Sequence, residues 1–257
     1  MREFCFKLFA KSYFNTGIKI TAFSISHIIY MLLIAGVIVG LYFLFRNKTA
    51  DKKEKLMRIL AYAIVLSYIF DFFVHDFVYG DGLNMDKLPF HVCTALCPIV
   101  AITQFNRNGK KLMDFVVMLS IVAPLMYLTY PASIGSGEPW CYQAVQTMFF
   151  HGALIAWGIL NIALGIYKPN IKTCWKSLIL LVIITLWAKL GNILLEHNWF
   201  FLSEDAFYIG LVSSGIIPKW LLMIANPIAF FIVVLMVYGI YYGVMKLKVK
   251  YAKKDAE

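Results

Sequence analysis

An all-α, polytopic membrane protein, folded as a bundle of seven transmembrane helices, is the architecture predicted by composition, block length and charge placement together. Of 257 residues, 61% are hydrophobic and 15% charged, against roughly 45–50% apolar and ~25% charged in soluble domains. The mean hydropathy of +0.74 agrees. Such a chain lacks the polar side chains to cover a water-exposed core. A soluble enzyme and a disordered chain are therefore excluded, and so is a nucleic-acid binder despite the net charge of +10. The apolar residues fall in seven blocks close to the ~20 residues that a helix needs to cross a bilayer. An open sheet would leave backbone groups unpaired in lipid, and the blocks lack the alternation of barrel strands.

The elements follow in order. Residues 1–21 interleave Arg2, Lys7 and Lys11 with Phe4, Phe6, Phe9 and Phe14. No A-x-A site follows an apolar run, so this segment reads as a helix lying on the membrane surface rather than a cleavable signal. A transmembrane domain over 22–246 then begins with a helix at 22–45, with His27 near its start. Arg46, Lys48, Lys52, Lys53, Lys55 and Arg58 lead into a second helix, 57–79, carrying Asp71 and His75 in its later half. The third, 89–106, opens on Leu88-Pro89-Phe90-His91-Val92-Cys93. Proline suits a first helical turn, where its missing N–H costs nothing, which places His91 one turn inside.

The fourth helix, 112–130, follows Arg107, Lys110 and Lys111. The fifth, 143–167, carries His151 about two turns in. The sixth, 174–196, has Lys189 and Asn192 near its end, and the seventh, 219–245, has Asn226 early. Residues 247–257 form a basic tail. Most Lys and Arg lie in the first, third and fifth connections and in this tail, which puts the N-terminus outside and the C-terminus in the cytoplasm of a cell-membrane protein. The basic residues near the N-terminus pull the other way. The positive excess is read as topology and attraction to anionic lipid, and the heavy use of Lys, Phe and Ile is that of an AT-rich bacterial genome.

With that topology, His27, Asp71, His75, His91, Cys93, His151, Lys189, Asn192 and Asn226 all fall in the outer half of the bilayer. Ionisable groups at that depth are expensive and need a partner, a cavity or a function. Their convergence predicts an outward-facing polar pocket, with Thr, Ser and apolar residues filling most of the inner half. Asp71 and His75, four apart, share a helix face. The carboxylate either fixes the imidazole for acid–base work or closes a structural pair. Lys189 is either the counter-charge to Asp71 or a contact for a lipid phosphate. Cys93 is a candidate acyl-accepting nucleophile, or, with Cys97, a small apolar filler. Residues two apart on a helix point ~200° apart, so His151 or His75 suits the role of base better than His91. The histidines and Cys93 lack metal-ligand spacing. No metal and no cofactor is expected, and the five cysteines form no disulfide framework.

Ser26-His27, the Leu88–Cys93 element, His151-Gly152 and Gly191-Asn192 occur in the order that resembles the YwaF-like family of bacterial integral membrane proteins, related to the eukaryotic transmembrane protein 164 group. The likeness runs over roughly 22–245, and the Leu-Pro-x-His-x-Cys element is its strongest part. The eukaryotic relatives are associated with acyl transfer onto lysophospholipids through a cysteine. The resemblance therefore implies lipid acyl chemistry, with His91, Cys93 and His151 as the positions that inherit it. Ile193 stands where an aromatic residue is typical.

The expectation is a lipid acyltransferase or related lipid-modifying enzyme, with membrane phospholipids or lysophospholipids as its partners. Cys93, His91, His151, His75 and Asp71 are its catalytic candidates, and Lys189, Asn192 and His27 its substrate contacts. The alternatives are a transporter or small-ligand binder built from the same residues, and an assembly factor whose polar groups only join helices.

Overall fold

The computed structural model describes residues 20–74, 85–129, 138–202, 214–216 and 218–254. Among these, every regular element is a helix: α1 Ile25–Phe45, α2 Ala50–Val74, α3 Val92–Phe105, α4 Met113–Thr129, α5 Tyr142–Ala163, α6 Trp175–Leu194 and α7 Leu222–Lys254. Short 3-10 turns lead into α4, α6 and α7 at Gly109–Leu112, Ile171–Thr173 and Lys219–Leu221. Six of the spans are long and apolar enough to cross a membrane, and α3, with 14 residues, is the shorter seventh. The protein is a multi-pass helical membrane protein.

The seven blocks and seven helices correspond, with informative shifts at their ends. The second helix starts at Ala50 rather than near residue 57. Its first turns, with Asp51, Lys52, Lys53, Glu54 and Lys55, are too charged to read as a span, yet Asp51 sits well at a helix start, facing the positive end of the backbone dipole. The later part predicted for this helix, with His75, lies outside the described residues. The fifth helix stops at Ala163 instead of 167. There Gly165 adopts φ 75°, and the Gly165 and Tyr167 amides cap the carbonyls of Ile162 and Asn161, a glycine-terminated end in which no Cβ opposes the left-handed turn.

The third helix carries a correction. It begins at Val92, not 89, and His91 is its N-cap with extended backbone (φ −78°, ψ 154°), not a residue one turn inside. Pro89 therefore lies before the helix instead of in its first turn. The cause is tertiary. Phe90 packs between Trp187 and Trp199, at ring-centroid distances of 4.9 and 4.5 Å, and the Trp187 indole N–H donates to the Pro89 carbonyl at 2.9 Å. A helix running through this point would forfeit both contacts.

Helices α4 and α5 form the centre. Of each most apolar stretch, 61% is buried, against 11% in α1. They pack tightly at Gly158, where an added Cβ would lie 2.6 Å from Ile121 Cγ1 and 3.1 Å from the Val117 carbonyl. Helices α1 and α2 pack on α5, while α3, α6 and α7 pack on α4. Pairing of α2 with α3 and of α6 with α7 closes the bundle. Leu32, Leu33, Val37, Leu186, Ile193, Ile232 and Met236 remain exposed on the outer helices. In a bilayer they meet lipid tails, so their exposure carries no penalty.

Candidate functional site

Two stretches outside the long helices meet at the end of the bundle where α2 finishes and α3 begins, each opening on a short 3-10 turn, Met85–Lys87 and Trp199–Phe201. The first is Met85–His91. Backbone groups without helical partners are costly at membrane depth, and non-helical chain survives there only when protein satisfies it. Nearly every carbonyl here has such a donor. Trp199 Nε1 donates to Met85 O at 3.0 Å, and the Tyr68 hydroxyl donates to Lys87 O. The Thr94 hydroxyl serves Leu88 O and His91 O at 3.0 and 3.1 Å, and Trp187 serves Pro89 O. Donors from α2, α3, α6 and the α6–α7 connection thus fix the approach to Cys93.

The second stretch, Trp199–Leu202, is fixed in the same way. Asn192 brackets Trp199: its Oδ1 accepts from the Trp199 amide at 2.7 Å, and its Nδ2 donates to the Trp199 carbonyl at 3.1 Å. Asn226 Nδ2 donates to Phe200 O at 2.9 Å and Phe201 O at 3.3 Å. Phe200 and Phe201 hold φ of 56° and 52°, a left-handed conformation that costs a bulky residue about 1–3 kcal/mol and persists only where the surroundings enforce it. His91 ties the two stretches together, its Nδ1 accepting from the Phe200 amide at 3.2 Å. Gly191 completes the fit, since a Cβ there would lie 2.7 Å from the Phe90 ring.

Beside this junction lies a charged and aromatic group. Asp71, 3% exposed, pairs with Lys87 at 2.5 Å. The expectation that Lys189 answers Asp71 is thereby corrected: Lys87, a loop residue in sequence, takes that place. Lys189 itself is half-buried. The hydroxyl-bearing ring of Tyr68 packs 6.1 Å from Phe150, next to His151.

His151, 8% exposed, shows its chemistry most clearly. Its Nδ1 lies 2.8 Å from the Thr147 carbonyl. A carbonyl only accepts, so Nδ1 carries the proton, and the neutral ring keeps its lone pair on Nε2. No hydrogen bond engages Nε2 among the described residues. Tyr127 stacks on the ring at 4.0 Å and 9°, and Phe150 meets it edge-on at 5.3 Å. The imidazole is thus held in one orientation, stacked between aromatic rings.

The remaining predicted positions separate. Cys93 lies in the first turn of α3, half-buried against the core, and Cys97 is 2% exposed on the same face. Both are free thiols. His27 uses both ring nitrogens on backbone: Nδ1 accepts from the Phe23 amide at 2.9 Å and Nε2 donates to the Leu128 carbonyl at 2.5 Å. It pins the start of α1 to the end of α4. Among the described residues, no three His, Cys, Asp or Glu side chains gather closely enough to hold a metal ion.

The structure also shows buried polar groups at the opposite end, among the Thr, Ser and apolar residues expected to fill most of that half. Gln104 accepts from Trp157 Nε1 at 3.1 Å and donates to Glu54 at 3.4 Å. Asp114 takes Lys176 at 2.7 Å and the Tyr167 hydroxyl at 2.9 Å, and Asn161 is fully buried. Asp114 and Lys176 resemble loop charges in the sequence, and Asn161 has no charged neighbour to mark it. The polar residue among apolar ones on α5 was the one available signal.

A model of the TMEM164 family matches residues 22–238. No curated protein matches the chain, and no solved structure does.

The Asp71–Lys87 pair sets an expectation for stability. Asp71→Leu should cost about 3 kcal/mol or more, because it strands a largely buried ammonium, whereas Asp71→Leu with Lys87→Met should recover most of that loss. Thermal unfolding of the purified variants measures both; equal losses in the single and double variants would show that Lys87 does not depend on Asp71.

Proposed function

From the premise that this chain belongs to the TMEM164 family of membrane proteins, we propose that it transfers acyl chains between membrane phospholipids and lysophospholipids through a cysteine. The observation that carries this reading is the His151 imidazole, held by Thr147 with its Nε2 lone pair uncommitted. It stands at the end of the bundle where the Asp71–Lys87 pair, His91 and Cys93 are placed.

In this reading His151 Nε2 takes the Cys93 proton. The thiolate attacks the ester carbonyl of a phospholipid, forming a thioester as the C–O bond of the ester breaks. The departing lysophospholipid oxygen receives the proton from His151. An acceptor hydroxyl then repeats the sequence in reverse, giving its proton to His151 as it attacks the thioester. Lys87 opposes the negative charge of the tetrahedral oxyanion. Asp71 holds Lys87, and His75, outside the described residues, is a further base candidate. Lys189 contacts the lipid phosphate as a point charge. Asn192 and His27 act as positioning residues, through Trp199 and Leu128.

The test supplies labelled phospholipid and lysophospholipid to purified protein in nanodiscs. Cys93→Ala should abolish turnover and the thioester adduct seen by intact-mass analysis. His151→Gln should lower the rate by 10²-fold or more, the usual contribution of a general base. Unchanged turnover in Cys93→Ala eliminates the covalent route.

The buried polar groups at the opposite end favour a second reading, a transporter or ligand-binding protein whose polar path runs through the bundle. It predicts flux of a polar solute in proteoliposomes that survives Cys93→Ala. An acyltransferase shows none.

The orientation we infer, with the C-terminus cytoplasmic and the N-terminus outside in the cell membrane, rests on the basic residues of the α1–α2 and α3–α4 connections and of the tail. A cysteine introduced at residue 255 of a protein lacking its native cysteines should resist an impermeant maleimide in intact cells and react after lysis. Labelling in intact cells would reverse the assignment.

A further inference from the structure

The stretch Trp199–Leu202 lies against the start of α3 in a conformation that its own residues do not favour. Two successive bulky residues, Phe200 and Phe201, hold φ of 56° and 52°, in the left-handed region that an L side chain keeps only under constraint. The constraint comes from hydrogen bonds to the elements around it. Asn192 on α6 brackets Trp199 through its amide and carbonyl, and Asn226 on α7 donates to the carbonyls of Phe200 and Phe201. The Trp199 indole donates to Met85 O. None of these groups changes charge near neutral pH. The remaining partner does, for the Phe200 amide donates to His91 Nδ1 at 3.2 Å.

That bond dictates the protonation state of His91. A backbone N–H only donates, so Nδ1 carries a lone pair. The ring is neutral with its proton on Nε2, the opposite tautomer to His151. A proton on Nδ1 sets one N–H against another and turns the attraction into repulsion. It also puts positive charge at the N-cap of α3, where the backbone dipole presents its positive end. The titratable and charged groups on the surrounding elements are Asp71 on α2, Asp86 and Lys87 in the turn ahead of α3, Cys93 on α3 and His151 on α5. Lys189 on α6, Glu196 and His197 after it, and Lys219 before α7 complete the set. Asp71, buried among them, is already matched by Lys87 at 2.5 Å.

We propose that His91 is a pH-sensitive latch: neutral, it holds the Trp199–Leu202 strap against the start of α3, and protonated, it lets the strap go. Release allows Phe200 and Phe201 to leave the left-handed region. It loosens the packing of Trp199 on Phe90 at 4.5 Å, just ahead of the turn that bears Cys93. The proton binds the released form and is excluded from the latched one. The strap is therefore held above about pH 6.5, the ordinary imidazole value, and freed progressively below it. In the orientation inferred above, the proton comes from outside the cell. The latch acts on the same end of the bundle as the acyl-transfer reading but does not require it, and its test reads no turnover.

Hydrogen–deuterium exchange of the whole protein in nanodiscs, followed residue by residue between about pH 5 and 8 and corrected for the intrinsic pH dependence of exchange, provides that test. Below about pH 6.5, opening of the Phe200 amide should rise about tenfold per pH unit, the slope of a single proton. Amides around Trp157, fully buried on α5, should stay protected throughout. His91→Gln is neutral at every pH and offers a side-chain oxygen to the same amide, so it should keep the strap closed and lose the slope. His151→Gln and His197→Gln should retain it. Exchange at Phe200 that is flat with pH in the unaltered protein overturns the proposal, and that measurement needs no variant to fold. A slope that persists in His91→Gln, or vanishes in His151→Gln or His197→Gln, overturns it too, since another histidine is then the switch.

Discussion

Unpaired peptide groups are the constraint on which this architecture turns. A membrane helix disposes of its own carbonyls; a stretch that is not helical must borrow donors from its neighbours. Met85–His91 does so from Tyr68, Thr94, Trp187 and Trp199, side chains belonging to α2, α3, α6 and the connection beyond α6. Four parts of the chain are thus committed to one short segment. In return the segment places Lys87 on Asp71 and His91 on Phe200. The polar chemistry of this end follows from where the backbone was allowed to leave the helix.

The rest of the bundle serves as a frame for that departure. Helices α4 and α5, the most buried of the spans and closely packed at Gly158, carry Tyr127 and His151. An imidazole placed this way keeps one tautomer and one orientation, as a base requires. His27 shows the contrasting case. With both nitrogens bound to peptide groups, it has no capacity left for a substrate, and its contribution is to hold two helix ends together.

How far the sequence reached depended on the range of the interactions involved. The spans were legible because hydropathy acts locally along the chain. The partner of Asp71 was not legible. Lys87 stands among loop residues, sixteen positions from the carboxylate it neutralises, and only the folded return of the chain joins them. The unwinding before Val92 was hidden for a related reason: Pro89 is as compatible with a first helical turn as with a turn that precedes one, and the choice was made by Trp187 and Trp199, about a hundred residues away. Phe200 and Phe201 carry no sequence mark of a left-handed conformation.

The brevity of α3 has a consequence for the lipid around it. Fourteen residues at 1.5 Å each span only ~21 Å, well short of the ~30 Å of hydrocarbon in an ordinary bilayer. Pro98, Ile102 and Phe105 are exposed on this helix, so part of it meets acyl chains directly. A membrane adapts to such a mismatch by becoming thinner alongside the short element. In the acyl-transfer reading proposed above, that thinning is what carries glycerol esters, which elsewhere remain near the interface, inward beside α3 toward the thiol of Cys93.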